Sequence, residues 1–240
     1  MKLILIRHGD PDYVNDNLTE KGRREAELLS RRVSQWEVKD FYCSPLGRAK
    51  ATAAYSMEKI NRTPIVCDWL QEFYYPVEDP VTGNKRIAWD FMPAYWTTQE
   101  LLYDKDHWID HPVMKTGAEL QKAYQDVCSG IDGILREHGY ERNGRYYRAV
   151  KPNKDTVVIF CHLGVSFVMM SHILGVSAPL LWQQFFIAPT SVTLLCTEER
   201  EQGNAAFRVK MMGDVSHLLN GGEKPSDSGL FQETFDTEVR

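Results

Sequence analysis

The sequence lacks three features, each of which would point to a particular class of protein. Its five cysteines, at positions 43, 67, 128, 161 and 196, are odd in number, scattered and never spaced as a Cys-x-x-Cys pair. No apolar run approaches the roughly 18 residues of a membrane span. Met1-Lys2 is followed by only four apolar residues before Arg7, too few for a secretory signal. Positive charge is not in excess, since the formal net charge is −5. These absences argue against a disulfide framework, a structural zinc site, a membrane protein and an electrostatic nucleic-acid binder, and they favour a cytoplasmic location.

The chain instead has the composition of a globular enzyme-sized domain. Its 240 residues are 43% hydrophobic, which suits one domain with room for an inserted subdomain. Short apolar runs predict strands at 2–6, 41–43, 65–67, 156–161, 191–197 and 207–212. Helices are predicted after Thr19, from Ser44-Pro45 (as N-cap and first helical residue) to about Lys59, from Ala118 to before Gly139, and from after Gly164 to about Leu174. This alternation predicts a three-layer α/β/α fold with a mostly parallel central sheet.

Two segments depart from that alternation, and the chain ends in a polar stretch. Residues 73–116 are crowded with aromatics, prolines and acids, which indicates an inserted cap because linkers lack such aromatic density. Residues 140–155 are basic, and Asn143-Gly144 predicts a hairpin. We therefore expect an α/β domain over residues 1–220 with a cap at about 73–116, followed by a polar tail over 221–240.

Two predicted strands end in a histidine followed closely by glycine. Arg7-His8-Gly9 follows the first strand, and His162-Leu163-Gly164 follows the strand at 156–161. A third strand ends at Ser44 and leads into a helix that carries Arg48. The carboxyl ends of parallel strands form the usual ligand site of such sheets, helix N-termini favour anions, and arginine matches phosphate oxygens. The sequence therefore predicts a phosphate site that also holds an imidazole nucleophile.

These motifs resemble those of the histidine phosphatase superfamily, in its phosphoglycerate-mutase-like branch. The matching stretches are RHG at 7–9, SPLGRAKATA at 44–53, LQE at 70–72 and CHLGVS at 161–166, with LTEKGRREA at 18–26 and GDVSHL at 213–218 as further landmarks. The resemblance runs from residue 2 to about 218 and leaves the segments 73–116 and 140–155 outside.

The resemblance implies a phosphohistidine mechanism without a metal or cofactor. His8 would attack phosphorus, Arg7, Arg48 and His162 would neutralise the phosphoryl oxygens, and Glu72 would protonate the leaving oxygen and then activate water. From the residues alone, Glu78, Glu100 or Asp90 in the cap could replace Glu72 as the acid.

Two departures from the family pattern bear on the activity. Leu163 stands where the family usually has glycine, although its backbone N–H remains available to phosphate. Asn15 and Asn17 in the loop at 10–17, and Ser44 outside it, are possible substrate contacts. The loop contains no arginine to hold a phosphoglycerate carboxylate. This favours a phosphatase over a mutase.

The expected function is a phosphomonoesterase that acts on a small phosphorylated metabolite. The alternatives are a phosphoglycerate mutase or sugar bisphosphatase and, less favoured, a non-catalytic domain that binds a phospholigand or a protein. The expected partner is a small-molecule phosphoester, with neither nucleic acid nor membrane. His217 lies at a motif position and is expected mainly to pack. The sequence identifies neither the substrate nor the oligomeric state.

Overall fold

The structure is a computed structural model that describes residues 1–231. Its strands are β1 (Lys2–Arg7), β2 (Pro11–Asp12), β3 (Asn17–Leu18), β4 (Asp40–Cys43), β5 (Ile65–Val66), β6 (Pro76–Glu78), β7 (Lys85–Ile87), β8 (Tyr140–Asn143), β9 (Tyr146–Ala149), β10 (Thr156–Cys161), β11 (Val192–Glu201) and β12 (Asn204–Asp214). Its α-helices are α1 (Glu20–Val33), α2 (Gly47–Ile60), α3 (Pro93–Trp96), α4 (Glu100–Tyr103), α5 (Pro112–Lys115), α6 (Leu120–Glu137), α7 (Leu163–Leu174), α8 (Ala178–Gln184) and α9 (Ser216–Asn220).

The central sheet has eight strands in the order β5-β4-β10-β1-β11-β12-β9-β8. The first four are parallel to one another, and the remaining pairings are antiparallel. The predicted α/β fold with a parallel core is confirmed, and an antiparallel half extends it. Two-residue connections join β8 to β9 and β11 to β12, and so short a turn can link only antiparallel strands. The hairpin predicted at Asn143-Gly144 is one of these connections.

Helix starts follow the sequence signals in one case and not in another. Thr19 caps α1 as predicted, since its Oγ1 accepts the Gly22 N–H at 3.0 Å. The predicted start of α2 at Ser44-Pro45 is wrong, because this helix begins at Gly47. The Gly47 N–H donates at 2.6 Å to Oδ2 of Asp16, which lies in a distant loop. A tertiary contact therefore satisfies the helix end that the local sequence assigned to Ser44.

Apolar side chains fill both faces of the sheet and form two cores. Residues 73–116, the segment predicted to be a cap and called the insert from here on, contribute to the larger core. That core includes Phe73 and Trp108, which pack on Trp182 of α8 with ring centroids 5.5 and 5.3 Å apart. The smaller core lies on the opposite face, where α1 and α2 cover β1, β4 and β10. Residues 73–116 form the hairpin β6–β7 and the short helices α3 to α5. The insert is thus held to the main body by buried aromatic rings.

One long stretch of the chain, which includes the central strand, carries no charged residue. Between Thr156 and Thr197 the chain contains no Asp, Glu, Lys or Arg. This stretch includes β10, which is buried between β4 and β1, and α7, which is buried on nearly every side. Within residues 1–231 no helix has both the length and the apolar character needed to cross a membrane. The uncharged stretch instead forms the central strand of the sheet and the helix packed on it.

Candidate active site

The two strand-end histidines are neighbours. β1 and β10 are adjacent and parallel, with Arg7 opposite Cys161, so the residues that follow each strand emerge at the same edge of the sheet. The ring centroids of His8 and His162 are 5.0 Å apart, and both side chains are buried. The predicted convergence of these residues at the carboxyl end of the parallel strands is confirmed.

His8 presents one ring nitrogen without a proton. Its Nδ1 lies 2.7 Å from the backbone carbonyl of Gly9, and because a carbonyl can only accept, Nδ1 carries the hydrogen. Burial, together with the charges of Arg7 and Arg48, holds the pKa of His8 well below its usual value. The ring is therefore neutral near pH 7, and Nε2 keeps its lone pair. A neutral imidazole fixed in this tautomer is suited to nucleophilic attack.

His162 has the complementary arrangement. Its Nε2 is 2.7 Å from Oγ of Ser44, which also accepts the Leu46 N–H at 3.2 Å. Burial and then the neighbouring His8 and arginine charges hold the pKa of His162 well below its usual value, so this ring is neutral as well. With Ser44 donating to Nε2, the ring proton resides on Nδ1, which is buried without a partner. Ser44 therefore does not cap α2 but orients the His162 ring, whose Nδ1–H is the free donor.

Two buried arginines flank the histidines. Arg7 donates from Nη1 to Ile187 O at 2.8 Å and from Nη2 to Ser228 O at 2.7 Å. Arg48 donates from Nη1 to Asp16 Oδ1 at 2.6 Å. The Nε atoms of both arginines are buried and make no hydrogen bond, as is also true of His162 Nδ1. An unpaired buried donor costs about 1–3 kcal/mol. Three such donors on residues that neighbour His8 indicate a site for an oxygen-rich anion.

Glu72 lies beside the first turn of α7. Its Oε1 accepts the N–H of Phe73 at 2.8 Å and that of Val165 at 3.1 Å. Burial raises the pKa of Glu72, while these two N–H groups and Arg7 oppose that rise. Because Oε1 is occupied as an acceptor, a proton on this carboxyl resides on Oε2. A Cβ at Gly164 would stand 2.8 Å from Oε1, so a larger residue there would displace this carboxyl.

Leu163 and the two loop asparagines do not bring side chains to the histidines. The side chain of Leu163 is buried in the larger core, which leaves only its backbone N–H, in the first turn of α7, to face a ligand. Asn15 donates to Asp12 Oδ2 at 2.7 Å on the exposed surface of the loop. Asn17 Oδ1 accepts the N–H of Leu18 at 2.8 Å. Both asparagines are thus bonded within their own loop.

The alternative acids and the motif histidine have other surroundings. Glu78 and Glu100 are exposed in the insert, and Asp90 forms an ion pair there at 3.1 Å. His217 is buried, with Nε2 3.2 Å from Oγ1 of Thr190, and burial lowers the pKa of His217 to about 4. Thr190 in turn donates its N–H to the two carbonyls at the end of β1, each at 3.1 Å. His217 therefore packs, and it supports the strand end through Thr190.

Three supporting residues were not indicated by the sequence. Asp16 accepts from both the Gly47 N–H and Arg48 Nη1 at the start of α2. Thr52 Oγ1 accepts the Gly9 N–H at 2.9 Å, and Glu25 Oε2 accepts the Asp10 N–H at 2.8 Å. Each contact joins residues at least 15 positions apart. No local pattern signals such pairs, although Thr52 and Glu25 fall inside motif stretches.

Comparison with known proteins agrees with this geometry. A family model of the histidine phosphatase superfamily (branch 1) matches residues 3–209. A probable phosphatase of Schizosaccharomyces pombe is 25% identical over 233 residues, covering 91% of this chain and 95% of that protein. Phosphoserine phosphatase 1 of Hydrogenobacter thermophilus is 23% identical over 212 residues, covering 83% and 88%.

The fold also has a solved counterpart. A putative alpha-ribazole-5'-P phosphatase of Escherichia coli superimposes with a TM-score of 0.59 at 17% identity, covering 90% of this chain and 97% of that one. The family match spans both strand-end histidines, both buried arginines and Glu72. The chain belongs to the histidine phosphatase superfamily, branch 1.

Proposed function

We propose that this protein is a phosphomonoesterase that hydrolyses a small phosphorylated metabolite through a phosphohistidine at His8. The observation that carries the proposal is a set of three buried, unpaired donors, Arg7 Nε, Arg48 Nε and His162 Nδ1. They belong to residues that neighbour the neutral ring of His8. A phosphoryl group supplies several oxygen acceptors at one point and a phosphorus atom for His8 to attack. No three His, Cys, Asp or Glu side chains within residues 1–231 are grouped as a metal ion would require, and the positive charge comes from the two arginines.

The first half of the reaction transfers the phosphoryl group to the enzyme. His8 Nε2 forms a bond to phosphorus while the bond from phosphorus to the leaving oxygen breaks. Arg7, Arg48 and His162 neutralise the charge on the equatorial oxygens, which is the main need of phosphoryl transfer. Glu72, whose pKa is raised by burial, gives its proton to the leaving oxygen. The products are the free alcohol, phosphohistidine and an ionised Glu72.

The second half returns the enzyme to its starting state. The Glu72 carboxylate takes a proton from water, and the water oxygen bonds to phosphorus as the bond to His8 Nε2 breaks. Inorganic phosphate leaves, with His8 neutral and Glu72 protonated again.

Two further observations favour hydrolysis over isomerisation. The S. pombe and H. thermophilus relatives are both named phosphatases. The loop at 10–17 contains no cation, and its Asp16 is paired with Arg48 at 2.6 Å. The loop therefore offers no positive group to hold a substrate carboxylate while the phosphoryl group changes position.

The test is a phosphate-release screen followed by trapping of the intermediate. Sugar phosphates, nucleotides, phosphoglycerates and phosphoserine are assayed first, and the best substrate is then used with a radiolabelled phosphoryl group. We expect an acid-labile label on the wild-type protein, and its loss together with turnover in His8→Ala. His107→Ala is the matched control, because that histidine is exposed in the insert. Labelling or near wild-type turnover in His8→Ala would refute the proposal.

A further inference from the structure

A cleft of about 670 Å³ lies at the opposite end of the central sheet from the proposed active site. Lys2 and Thr156, the first residues of β1 and β10, line this cleft, and the register pairs them with each other. His8 and His162 follow the last residues of the same two strands. At about 3.3 Å for each strand residue, the two ends are about 20 Å apart. A ligand in the cleft would therefore leave the strand-end histidines free.

The floor of the cleft is apolar. Ile4 pairs with Leu194, and Leu194 pairs with Met211, so these three side chains form one row across β1, β11 and β12. The wall is the C-terminal end of α1 and the residues after it, where the Arg32 guanidinium lies 5.5 Å from the centre of the Trp36 ring. Leu194, Met211 and Trp36 are only partly buried. The cleft thus offers apolar surface and an aromatic ring to a ligand.

Positive charge surrounds this apolar floor. The cations that line the cleft are Lys2, Arg32, Lys154 and Lys210. The three lysines are exposed and form no ion pair within residues 1–231, whereas Arg32 pairs with Asp214 at 2.5 Å. Of the described residues that line the cleft, Glu37 is the only acid. Because the whole chain has 33 acids and 28 lysines and arginines, this local excess of cations is a feature that an anion would neutralise.

A β-bulge in β12 brings one of these lysines to the cleft. Leu194 pairs with Met211, and the next residue of β11 pairs with Val209. Lys210 is therefore the extra residue that has no partner on β11. Successive strand residues normally point to opposite faces, yet Lys210 and Met211 both line the cleft. The bulge thus sets a positive charge beside the apolar floor, and bulges commonly re-aim a side chain in this way next to functional sites.

We infer that this cleft is a second binding site, for a phosphorylated molecule with a flat ring, which is the chemistry of a nucleotide. Its volume lies within the range of about 300–1,000 Å³ that is typical of small-molecule sites. The lysines supply point charges for the phosphates, and the apolar floor with Trp36 holds the ring. Gln35 and Thr156 also line the cleft and can meet the polar edge of a base. The inference does not depend on the proposed hydrolysis, because it concerns a different site.

The test is isothermal titration calorimetry of the full-length chain with β,γ-methylene-ATP, whose terminal bridge resists hydrolysis. Magnesium is left out so that the phosphates keep their charge. We expect a Kd below about 1 mM that weakens as KCl is added. The double variant Lys2→Ala with Lys210→Ala should bind about 4- to 25-fold more weakly, from about 2- to 5-fold for each exposed charge removed.

Two fragments of the ligand test whether both of its parts are recognised. Tripolyphosphate keeps the phosphates and lacks the ring, and adenosine keeps the ring and lacks the phosphates. Each should bind at least about fivefold more weakly than the nucleotide. Tripolyphosphate that binds as tightly as the nucleotide would overturn the inference, as would the absence of nucleotide binding.

Two control variants separate the cleft from the proposed active site. Lys85→Ala removes an exposed lysine of the insert, and Arg48→Gln removes a cation beside His8. Both should bind the nucleotide as the wild type does. Weakened binding in Arg48→Gln, with normal binding in the lysine double variant, would show that the nucleotide occupies the strand-end site and would overturn the inference.

Tryptophan fluorescence locates the ligand independently of affinity. Trp36 lines the cleft, so tryptophan emission should change when the nucleotide binds, and this change should be lost in Trp36→Phe. Trp89→Phe is the matched control, because Trp89 lies beside Gly164 and donates to Phe73 O at 3.0 Å. It should keep the change. A change that survives Trp36→Phe in full, or that disappears in Trp89→Phe, would place the ligand elsewhere and overturn the inference.

Discussion

A buried carboxyl next to the site gives a quantitative prediction about stability and pH. The side chain of Glu25 is fully buried in α1, where its Oε2 accepts the Asp10 N–H at 2.8 Å and its Oε1 lies 3.4 Å from Lys21 Nζ. Burial raises the pKa of Glu25 from 4.5 to about 7. Glu25→Gln keeps a carbonyl acceptor for Asp10 and cannot ionise. The substitution therefore isolates the cost of the buried charge.

The sign follows from proton binding. The folded state holds the Glu25 proton up to about pH 7, whereas the unfolded chain releases it near 4.5. The stability from this group is thus present below pH 4.5 and is lost as the pH rises through 7. The raised pKa corresponds to about 3 kcal/mol in total, most of which falls between pH 5 and pH 8.

The assay is urea unfolding followed by circular dichroism at pH 5 and pH 8. The free energy of unfolding of Glu25→Gln minus that of wild type should be more positive at pH 8 than at pH 5 by about 2–3 kcal/mol. Glu20→Gln, an exposed glutamate on the same helix, should show no such change. A difference that is the same at both pH values would show that Glu25 is ionised in the folded protein at pH 5, contrary to the reasoning.

Four predictions concern catalysis. Glu72→Gln should reduce kcat on an alkyl phosphate by about 10²–10⁴-fold but far less on p-nitrophenyl phosphate, whose leaving group needs little protonation; equal losses would exclude proton donation. In wild type, kcat/KM for the alkyl phosphate should fall as the pH rises through the raised pKa of Glu72, and this limb should vanish in the variant. Gly164→Ala would set a methyl carbon 2.8 Å from Glu72 Oε1 and should selectively impair the alkyl substrate, whereas Gly133→Ala, with its nearest atom at 4.0 Å, should not. Incubation with 3-phosphoglycerate should yield little 2-phosphoglycerate by chromatography, and efficient interconversion would identify a mutase.

The sequence predicts that His8 and His162 lie together because each directly follows a strand that its apolar run marks. Once β1 and β10 are adjacent and parallel, the residues after Arg7 and Cys161 must meet, and both strands are marked by uninterrupted apolar runs. The cap of α1 at Thr19 and the turn at Asn143-Gly144 are similarly local, and both are confirmed. The roles of His8 and Glu72 in turnover stay predictions until the variants are measured.

The surroundings of the site depend on contacts between distant parts of the chain. Asp16 pairs with Arg48 across 32 residues, and Ser228 meets Arg7 across 221. Asp16 also accepts the Gly47 N–H, and α2 begins at Gly47 instead of at the Ser44-Pro45 start predicted from the sequence. Periodicity and capping signals extend over only a few turns of chain, so they could not indicate these partners.

The uncharged stretch from Thr156 to Thr197 has a consequence for how the chain folds. Charged residues that flank apolar strands normally prevent their association with other chains, and β10 has such residues, Lys154 and Asp155, on its N-terminal side only. Until β4 and β1 enclose β10 on its two edges, a newly made or heat-unfolded chain exposes a strand with strong β propensity and with charged neighbours on one side only. Thermal unfolding should consequently end in aggregation, and refolding yield should fall steeply with protein concentration. The same uncharged stretch provides the apolar surroundings that lower the pKa of His162. Its protection from aggregation thus depends on rapid completion of the sheet or on chaperones.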